Sequence, residues 1–296
     1  MALTGGSGLI GTRLRQALTR RGDRVVSFVR DPARAGPGDR FWDPASGHVD
    51  ALDVEGLDAI VHLAGAPIAS GRWTAARKRT ILESRLRSTR LLCDALATAH
   101  EPPSVLISAS AIGYYGNRGE AWIDEESEPG EGFLAEVCVA WEEATQAARA
   151  AGIRVGLARI GVVLAPEGGA LARMLPVFRL GLGGRLGNGR QYLSWIGIDD
   201  AVAALEHALD CEALSGPFNL VGPNPVTNAE FTRTLSRVLS RPAVLPAPSL
   251  ALRLAVGEMA QALLLDGARI APHRLQSTGF RFRHPDLEGA LRSLLA

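Results

Sequence analysis

The sequence predicts an α/β fold, a doubly wound parallel sheet with a smaller C-terminal α/β lobe, on three observations. A glycine-rich turn, Gly5-Gly6-Ser7-Gly8-Leu9-Ile10-Gly11, stands between a strand-length run and a helix-length run. Apolar strand-length segments then recur with helical segments between them, the alternation that parallel sheets require. After residue 160 that pattern gives way to glycine-, arginine- and proline-rich stretches, the mark of a differently built lobe.

Residues 1–4 are just long enough for a first strand, and 9–21 read as a helix with Leu9, Ile10, Leu14, Ala17 and Leu18 on one face. Strand, turn and helix are in the order that a dinucleotide-phosphate loop needs. One glycine permits the sharp turn, another lets the backbone approach a pyrophosphate, and Gly11 lets the helix pack closely on the strand. Amide groups at the positive helix end then meet the phosphates. Gly5, Gly6, Ser7, Gly8, Leu9, Ile10 and Gly11 are therefore candidate cofactor-binding residues. This makes the expected domain Rossmann-like.

The second strand, residues 24–29, ends in Arg30, near the place about 20 residues on from the glycines where an acid would hold an NAD ribose. An arginine there suits a 2′-phosphate, and so NADP (NADPH). Asp31 is the competing choice, able to take the ribose hydroxyl, and Arg34 is either a second phosphate contact or a solvated loop charge. Further strands are expected at 59–63, 105–107, 155–158 and 218–221. Helices are expected at 74–99 and at 133–151, the second stopped by Gly152. Loops should run from 161 to 197, a strand and helix follow at 195–209, and a proline-rich connector at 241–248 leads into C-terminal helices.

The division this implies is a nucleotide-binding domain of residues 1–160 plus about 197–222. A substrate lobe would then be made of about 161–196 and 223–296. At 296 residues the chain can bury a full core without a metal or an oligomer, so monomer and homodimer both remain open. With 32 basic and 31 acidic residues the net charge is +1, which supplies no global field for nucleic acid or an anionic membrane. Cys93, Cys138 and Cys211 are few, odd in number and widely spaced, as expected of free thiols in the cytoplasm. No secretory signal or bilayer-length apolar run is read, and the six histidines show no metal-ligand spacing.

Taken together, Thr4 to Gly11, His62-Leu63-Ala64-Gly65, Ser108-Ala109-Ser110 and Trp195-Ile196-Gly197-Ile198-Asp199-Asp200 resemble the extended short-chain dehydrogenase/reductases. Arg72-Trp73-Thr74, Gly113-Tyr114-Tyr115-Gly116, the Phe178 to Gly184 stretch and the Phe280 to Leu287 stretch are similar to hallmarks of an atypical subgroup, the epimerase family proteins. The resemblance covers essentially the whole chain. It implies an NADP-binding domain, a C-terminal segment of the subgroup's own, and oxidoreductase or epimerase chemistry on a hydroxyl or carbonyl, with nucleotide sugars among the candidate substrates. By the same resemblance Leu63, Ala64 and Gly65 pass under the adenosine, Arg85 contacts NADP, and Val163 approaches the nicotinamide side. Arg185, Gln191 and Trp195 fall in the substrate lobe.

The wider family uses Tyr-x-x-x-Lys, in which the lysine lowers the tyrosine pKa while a serine polarises the reacting group. This chain has a single lysine, Lys78, and Thr74 stands four before it. Aligned on Trp141-Glu142, the tyrosine position falls near Leu134 and the lysine position at Cys138. Ser110 keeps the place of the serine, and Tyr114 and Tyr115 are the candidates for a substitute proton donor. A second class stays open beside the enzyme: a catalytically inactive NADP-dependent sensor or scaffold.

Overall fold

Through the first 220 residues buried apolar strands alternate with helices. The computed structural model describes residues 1–36, 38–49 and 53–296, without the Arg34 side chain, so the Arg34 phosphate contact lies outside the described residues. In chain order the elements are β1 (Ala2–Thr4), α1 (Leu9–Arg21), β2 (Val26–Val29), β3 (Arg40–Asp43), β4 (His48–Val49), β5 (Ala59–His62), α2 (Ala75–Thr98) and β6 (Val105–Ala111). A 3-10 turn, Ile112–Tyr115, leads to β7 (Trp122–Ile123), α3 (Phe133–Glu143), α4 (Gln146–Ala150), β8 (Arg154–Ile160), β9 (Val162–Ala165) and α5 (Gly169–Arg179). Next come β10 (Tyr192–Leu193), β11 (Trp195–Gly197), α6 (Ile198–Asp210), β12 (Gly216–Leu220), β13 (Val226–Thr227), α7 (Asn228–Leu239) and α8 (Ser249–Val256). The chain closes with α9 (Glu258–Ala260), a π-helical turn at Gln261–Leu265, β14 (Arg269–Ile270), α10 (His273–Ser277) and α11 (Leu287–Leu295).

Among the described residues, eight strands form one sheet in the order β12-β8-β6-β5-β1-β2-β3-β4, parallel throughout except for the β3–β4 pair. The chain enters at β1, winds out to β2 and β3, and returns to β5 on the other side. The strand order therefore reverses between β1 and β5, and the crevice beyond their carboxyl ends is where such sheets hold ligands.

Period-two alternation decides which helices cover which face. Leu3, Val61 and Ile107 pack with Leu14 and Leu18 of α1 and with Ala201 and Leu205 of α6. Ala2, Ile60 and Leu106 pack instead with Leu92 and Leu96 of α2. Each fully buried Leu or Ile contributes about 2 kcal/mol of transfer free energy, so the two layers are held by area rather than by polar contacts.

Two expectations are corrected. The helix expected at 133–151 is two helices, because Thr145 turns its hydroxyl back onto the Glu142 carbonyl at 2.7 Å and breaks the run between Glu143 and Gln146. The stretch expected as loops, 161–197, contains β9, α5, β10 and β11, and β9 pairs in parallel with β11. Apolar residues are as frequent there as in the rest of the chain, but glycines interrupt them, which masked the periodicity.

At the carboxyl end of β5, His62 is fully buried. Its Nδ1 lies 2.7 Å from Thr4 Oγ1 and its Nε2 3.0 Å from Thr89 Oγ1, which also accepts the Trp141 indole N–H at 2.9 Å. His62 thus ties β1, α2 and α3 together, the packing role its strand position suggests. Burial pushes its pKa down to about 4, well below the usual 6.5. The unfolded chain then binds a proton that the folded chain refuses. The stability contribution is complete above pH 6.5 and is lost as pH falls toward 4, by up to about 3 kcal/mol. Urea-unfolding midpoints should therefore drop across that window, and a His62→Gln variant should show a flatter pH dependence.

Candidate functional site

The glycine loop leaves β1 and closes on the end of β5. Gly5 has φ +69°, and a Cβ there would sit 2.8 Å from the Leu63 carbonyl. At Gly11 a Cβ would lie 2.3 Å from Gly5 O, so the first turn of α1 is as close to the loop as backbone allows. Gly8 is the N-cap and brings no side chain to cap that turn. Thr4 Oγ1 accepts from the Leu63 and Ala64 amides at 3.2 and 3.3 Å, which fixes residues 63–65 beside the loop. This cradle, with an uncapped helix N-terminus over bare backbone, fits a pyrophosphate.

Arg30 lies exposed just beyond β2, at the same sheet edge. Asp31, its competitor, caps the next turn by accepting the Ala33 amide at 3.1 Å. Val163, in β9, is half-buried, and the turn after β9 reaches the loop: a Cβ on Gly168 would meet Leu9 Cδ1 at 3.1 Å. A salt bridge from Arg13 to Glu167 closes the same junction.

Beyond the carboxyl ends of β6 and β8 lies a cavity of about 720 Å³. One end is formed by Arg85, Ala111, Cys138 and Trp141. Its roof comes from the C-terminal segment, through Glu258, Gln261 and Asp266. The Arg85 guanidinium stands 4.9 Å over the Trp141 ring, and its Nη1 donates to the Ala66 and Ile81 carbonyls at 3.1 and 3.0 Å. Burial lowers its pKa. Leu134 and Cys138, the positions aligned with the family's tyrosine and lysine, both line the cavity. Burial, reinforced by Glu142, pushes the Cys138 thiol up to about 12, so it stands there as a neutral, inert group.

Beneath the cavity floor runs a buried polar network that the sequence reading missed. Arg159 grips Glu142 with two hydrogen bonds, Nε to Oε1 and Nη2 to Oε2, each 2.9 Å, and its side chain is only 4% exposed. Ser110 donates to Glu142 Oε1 at 2.7 Å. Arg159 Nη1 donates to the Tyr115 hydroxyl at 2.9 Å, and that hydroxyl donates to Asn219 Oδ1 at 2.7 Å. The Arg159 guanidinium also lies 3.5 Å from the Tyr114 ring centre. Burial alone would lower the Arg159 pKa, but Glu142 and Tyr115 reverse the direction and hold it charged.

The structure brings together the glycine loop, residues 63–65, Arg30, Arg85 and Val163 at one sheet edge, and it sorts the remaining candidates differently. Ser110 belongs to β6 itself, one residue before the cavity-lining Ala111, with its hydroxyl turned to Glu142. Tyr115 is fully buried with its pKa pushed up to about 12, chiefly by desolvation, and its hydroxyl is used inside the network rather than presented to a ligand. Tyr114 is half-buried, and burial also raises its pKa against the opposing pull of Arg159. Trp195, for which packing stood open beside a ligand contact, takes the packing role: at 1% exposure it packs with Leu164, Phe178 and Phe231, and its indole N–H donates to the Asn224 carbonyl. Gln191 spends its amide on the Leu186 and Leu264 carbonyls, and Arg185 is exposed away from the cavity lining. The neighbours Tyr192, Leu193 and Ser194 line the cavity instead. The one legible sign of the network was charge in apolar company, Glu142 after Trp141 and Arg159 at the end of an apolar strand.

Comparison with known proteins agrees with this arrangement. The NAD dependent epimerase/dehydratase family model matches residues 1–220, and a domain of unknown function, DUF1731, matches residues 247–294. An epimerase family protein of Mycobacterium tuberculosis is 47% identical over 291 residues, covering 98% of this chain and 96% of that one. The crystal structure of the human epimerase family protein SDR39U1 with NADPH superposes with a TM-score of 0.89 at 36% identity, covering 99% of this chain and 98% of that chain. A structure named as the nucleoside-diphosphate sugar epimerase from Corynebacterium glutamicum has a TM-score of 0.81 at 36% identity, covering 99% of this chain and 57% of that chain.

Removing one partner of a buried ion pair leaves the other uncompensated, at a cost of about 3 to 5 kcal/mol. Glu142→Gln should therefore lower the thermal midpoint sharply, whereas Ser110→Ala, which deletes one hydrogen bond, should cost about 1 kcal/mol. The paired change Glu142→Leu with Arg159→Met should recover much of the loss of the single variant. Differential scanning calorimetry on the set checks the order.

Proposed function

The chain belongs to the NAD dependent epimerase/dehydratase family, and we propose that it binds NADPH and acts as an oxidoreductase or epimerase on a hydroxyl or carbonyl of a small molecule. The observation that carries the proposal is the cavity beyond the carboxyl ends of β6 and β8, joined to the glycine cradle through Arg85, which lines the cavity and lies against Gly65. A binding loop alone needs no second chamber; a substrate does. Bound NADPH supplies the hydride that a redox step on such a carbon requires.

In this reading Gly5 to Gly11 hold the pyrophosphate through backbone amides, and Leu63, Ala64 and Gly65 lie along the adenosine. Arg30 takes the 2′-phosphate, its side chain lying exposed just beyond β2. Arg85 reaches ribose or phosphate oxygens, and Val163 borders the nicotinamide. The preference for NADPH is supported by the human relative solved with that ligand. Residues 1–160 with about 197–222 form the cofactor domain, and about 161–196 with 223–296 enclose the substrate. We place the protein in the cytoplasm, as a monomer or homodimer; among the described residues no helix is long and apolar enough to cross a membrane.

Ser110 and Tyr114 are the polar groups proposed for the reacting end. Because Ser110 donates its hydrogen to Glu142, its lone pairs are what it offers to a substrate hydroxyl. Tyr115 serves by holding Arg159 in place. The replacement of the family's acid-base pair by Leu134 and a neutral Cys138 favours a second reading, an NADP-dependent sensor without turnover. The same panel separates the two: NADPH consumption with small carbonyls and nucleotide sugars supports the enzyme, and cofactor-dependent capture of a partner without turnover supports the sensor.

Fluorescence titration should give tighter binding of NADPH than of NADH, and Arg30→Ala should erase most of that difference while leaving NADH affinity within about threefold. Gly11→Ala should weaken both at least tenfold, since its Cβ collides with Gly5 O. Tighter binding of NADH by the unaltered protein would count against the assignment.

A further inference from the structure

We propose that the cavity selects an uncharged, largely apolar alcohol or carbonyl compound with a hydrogen-bond-donating end, and that it rejects a nucleoside-diphosphate sugar. This rests on the NADPH-linked reading above and names its substrate class. The wall facing α2 and α3 is apolar: Ile68, Trp73, Ile81, Phe133, Leu134 and Val137 line it. Trp73 and Phe133 meet edge to face with ring centres 5.2 Å apart, and the Trp73 indole N–H is already used on the Ile68 carbonyl at 2.8 Å. That wall therefore presents ring surface and methyl groups, with the Lys78 ammonium 5.1 Å from the Phe133 ring centre beside it.

The charged groups lie at the rim and roof, and carboxylates lead there. Glu131, Glu258 and Asp266 line the cavity, against Arg85 and Arg118. Arg85 belongs to the cofactor end and spends Nη1 on two carbonyls. Arg118 is committed to the loop it sits in: Nε donates to the Tyr115 carbonyl at 2.9 Å and Nη2 to the Glu128 and Pro129 carbonyls at 2.7 and 3.0 Å. Lys78 approaches from α2, but it bridges to Glu258 at 2.5 Å. A diphosphate brings about two negative charges that need bidentate arginines or free amides to replace their water. Here it would meet Glu131 and Asp266, while Arg118 is held by three carbonyls and the rest of the Arg85 guanidinium is kept for the cofactor, a like-charge encounter in a partly desolvated space.

The same carboxylates suit a donor. Asp266 accepts from the Gln261 amide at 2.5 Å through Oδ1, and Oδ2 is the atom it offers to a ligand. A hydroxyl at one end of an otherwise apolar ligand would satisfy that roof while its body fills the Trp73–Phe133 wall. A volume of about 720 Å³ is ample for two fused rings beside the cofactor end.

Isothermal calorimetry on the NADPH-loaded protein tests this, with 1-(2-naphthyl)ethanol and UDP-glucose as the two probes. The expected result is micromolar binding of the naphthyl alcohol with a negative heat-capacity change, and UDP-glucose at least fiftyfold weaker. Phe133→Ala should weaken the naphthyl alcohol at least fivefold with NADPH affinity unchanged, which also reports that the variant is folded. Glu131→Lys, at the exposed rim, should strengthen UDP-glucose at least fivefold. UDP-glucose binding as tightly as the naphthyl alcohol, or no binding of the naphthyl alcohol by NADPH-loaded protein, overturns the proposal. Failure of NADPH to bind is read in the loading step and bears on the cofactor assignment alone; the probes are then titrated without it.

Discussion

Arg159 has to be charged and buried at once, and the centre of the molecule is organised around that requirement. A guanidinium taken out of water costs several kcal/mol unless its hydrogens are all met and a counter-charge is close. Glu142 meets two of its nitrogens in a forked geometry, and Tyr115 and the Glu125 carbonyl take the third. To reach it, α3 must present Glu142 to β8, and the turn after β6 must fold inward to deliver Tyr115. Through Asn219 the chain of bonds continues to β12 and to the Ala271 carbonyl of the C-terminal segment. Glu125 stitches the same corner by accepting from the Asn219 and Arg274 amides at 2.9 and 3.2 Å. One buried cation thus fixes the mutual placement of five segments, and the cavity floor is the upper surface of that assembly.

Such a floor holds its segments together without drawing on Leu134 or Cys138, the positions that the resemblance sets against a tyrosine and a lysine. In the pattern this chain departs from, a lysine keeps a tyrosine acidic at the cavity surface. Here the helix that would carry them presents Leu134 and Cys138, and the charge has moved one turn on, to Glu142, and one layer down, to Arg159. The polar chemistry is stored under the reacting surface, and Ser110 is the connection between the two levels. An enzyme built this way would lean on cofactor placement and on a single hydroxyl rather than on a tuned phenol.

The local signals carried the cofactor half of the molecule. Gly5 and Gly11 could be read because each answers a backbone need that appears within seven residues, and the place of Arg30 just beyond β2 because one helix and one strand fix its distance from that loop. His62 was legible as a packing residue from its place in an apolar strand. The substrate half resisted for a different reason: its decisive contacts span long separations. Tyr115 finds Asn219 across 104 residues, and Gln191 finds Leu264 across 73. Nothing near Tyr115 in sequence says that its hydroxyl is consumed, so exposure and chemistry could not be inferred from residue type. Trp195 stood open between packing and a ligand contact because residue type does not decide between them, whereas its pairing with Val162 in the β9–β11 sheet makes it core.

The C-terminal segment is what turns an open sheet edge into a chamber. Residues 258–268 reach the rest of the chain through hydrogen bonds from Arg118 N to the Gly267 carbonyl and from Gly267 N to Asn117 Oδ1, and through the Lys78–Glu258 bridge. The bridge is solvent-facing and contributes little by itself. The backbone ties are firmer, because Gly267 packs on Tyr192 so closely that a Cβ would lie 2.3 Å from its carbonyl oxygen. The roof is therefore clamped along one edge, at residues 117–118 and 192, and held only by exposed contacts along the other, at Arg72 and Lys78. The loose edge is the one where α2 and the start of α3 bring Ile81, Phe133 and Leu134 to the cavity lining, so the apolar wall stands beside the contacts that cost least to break.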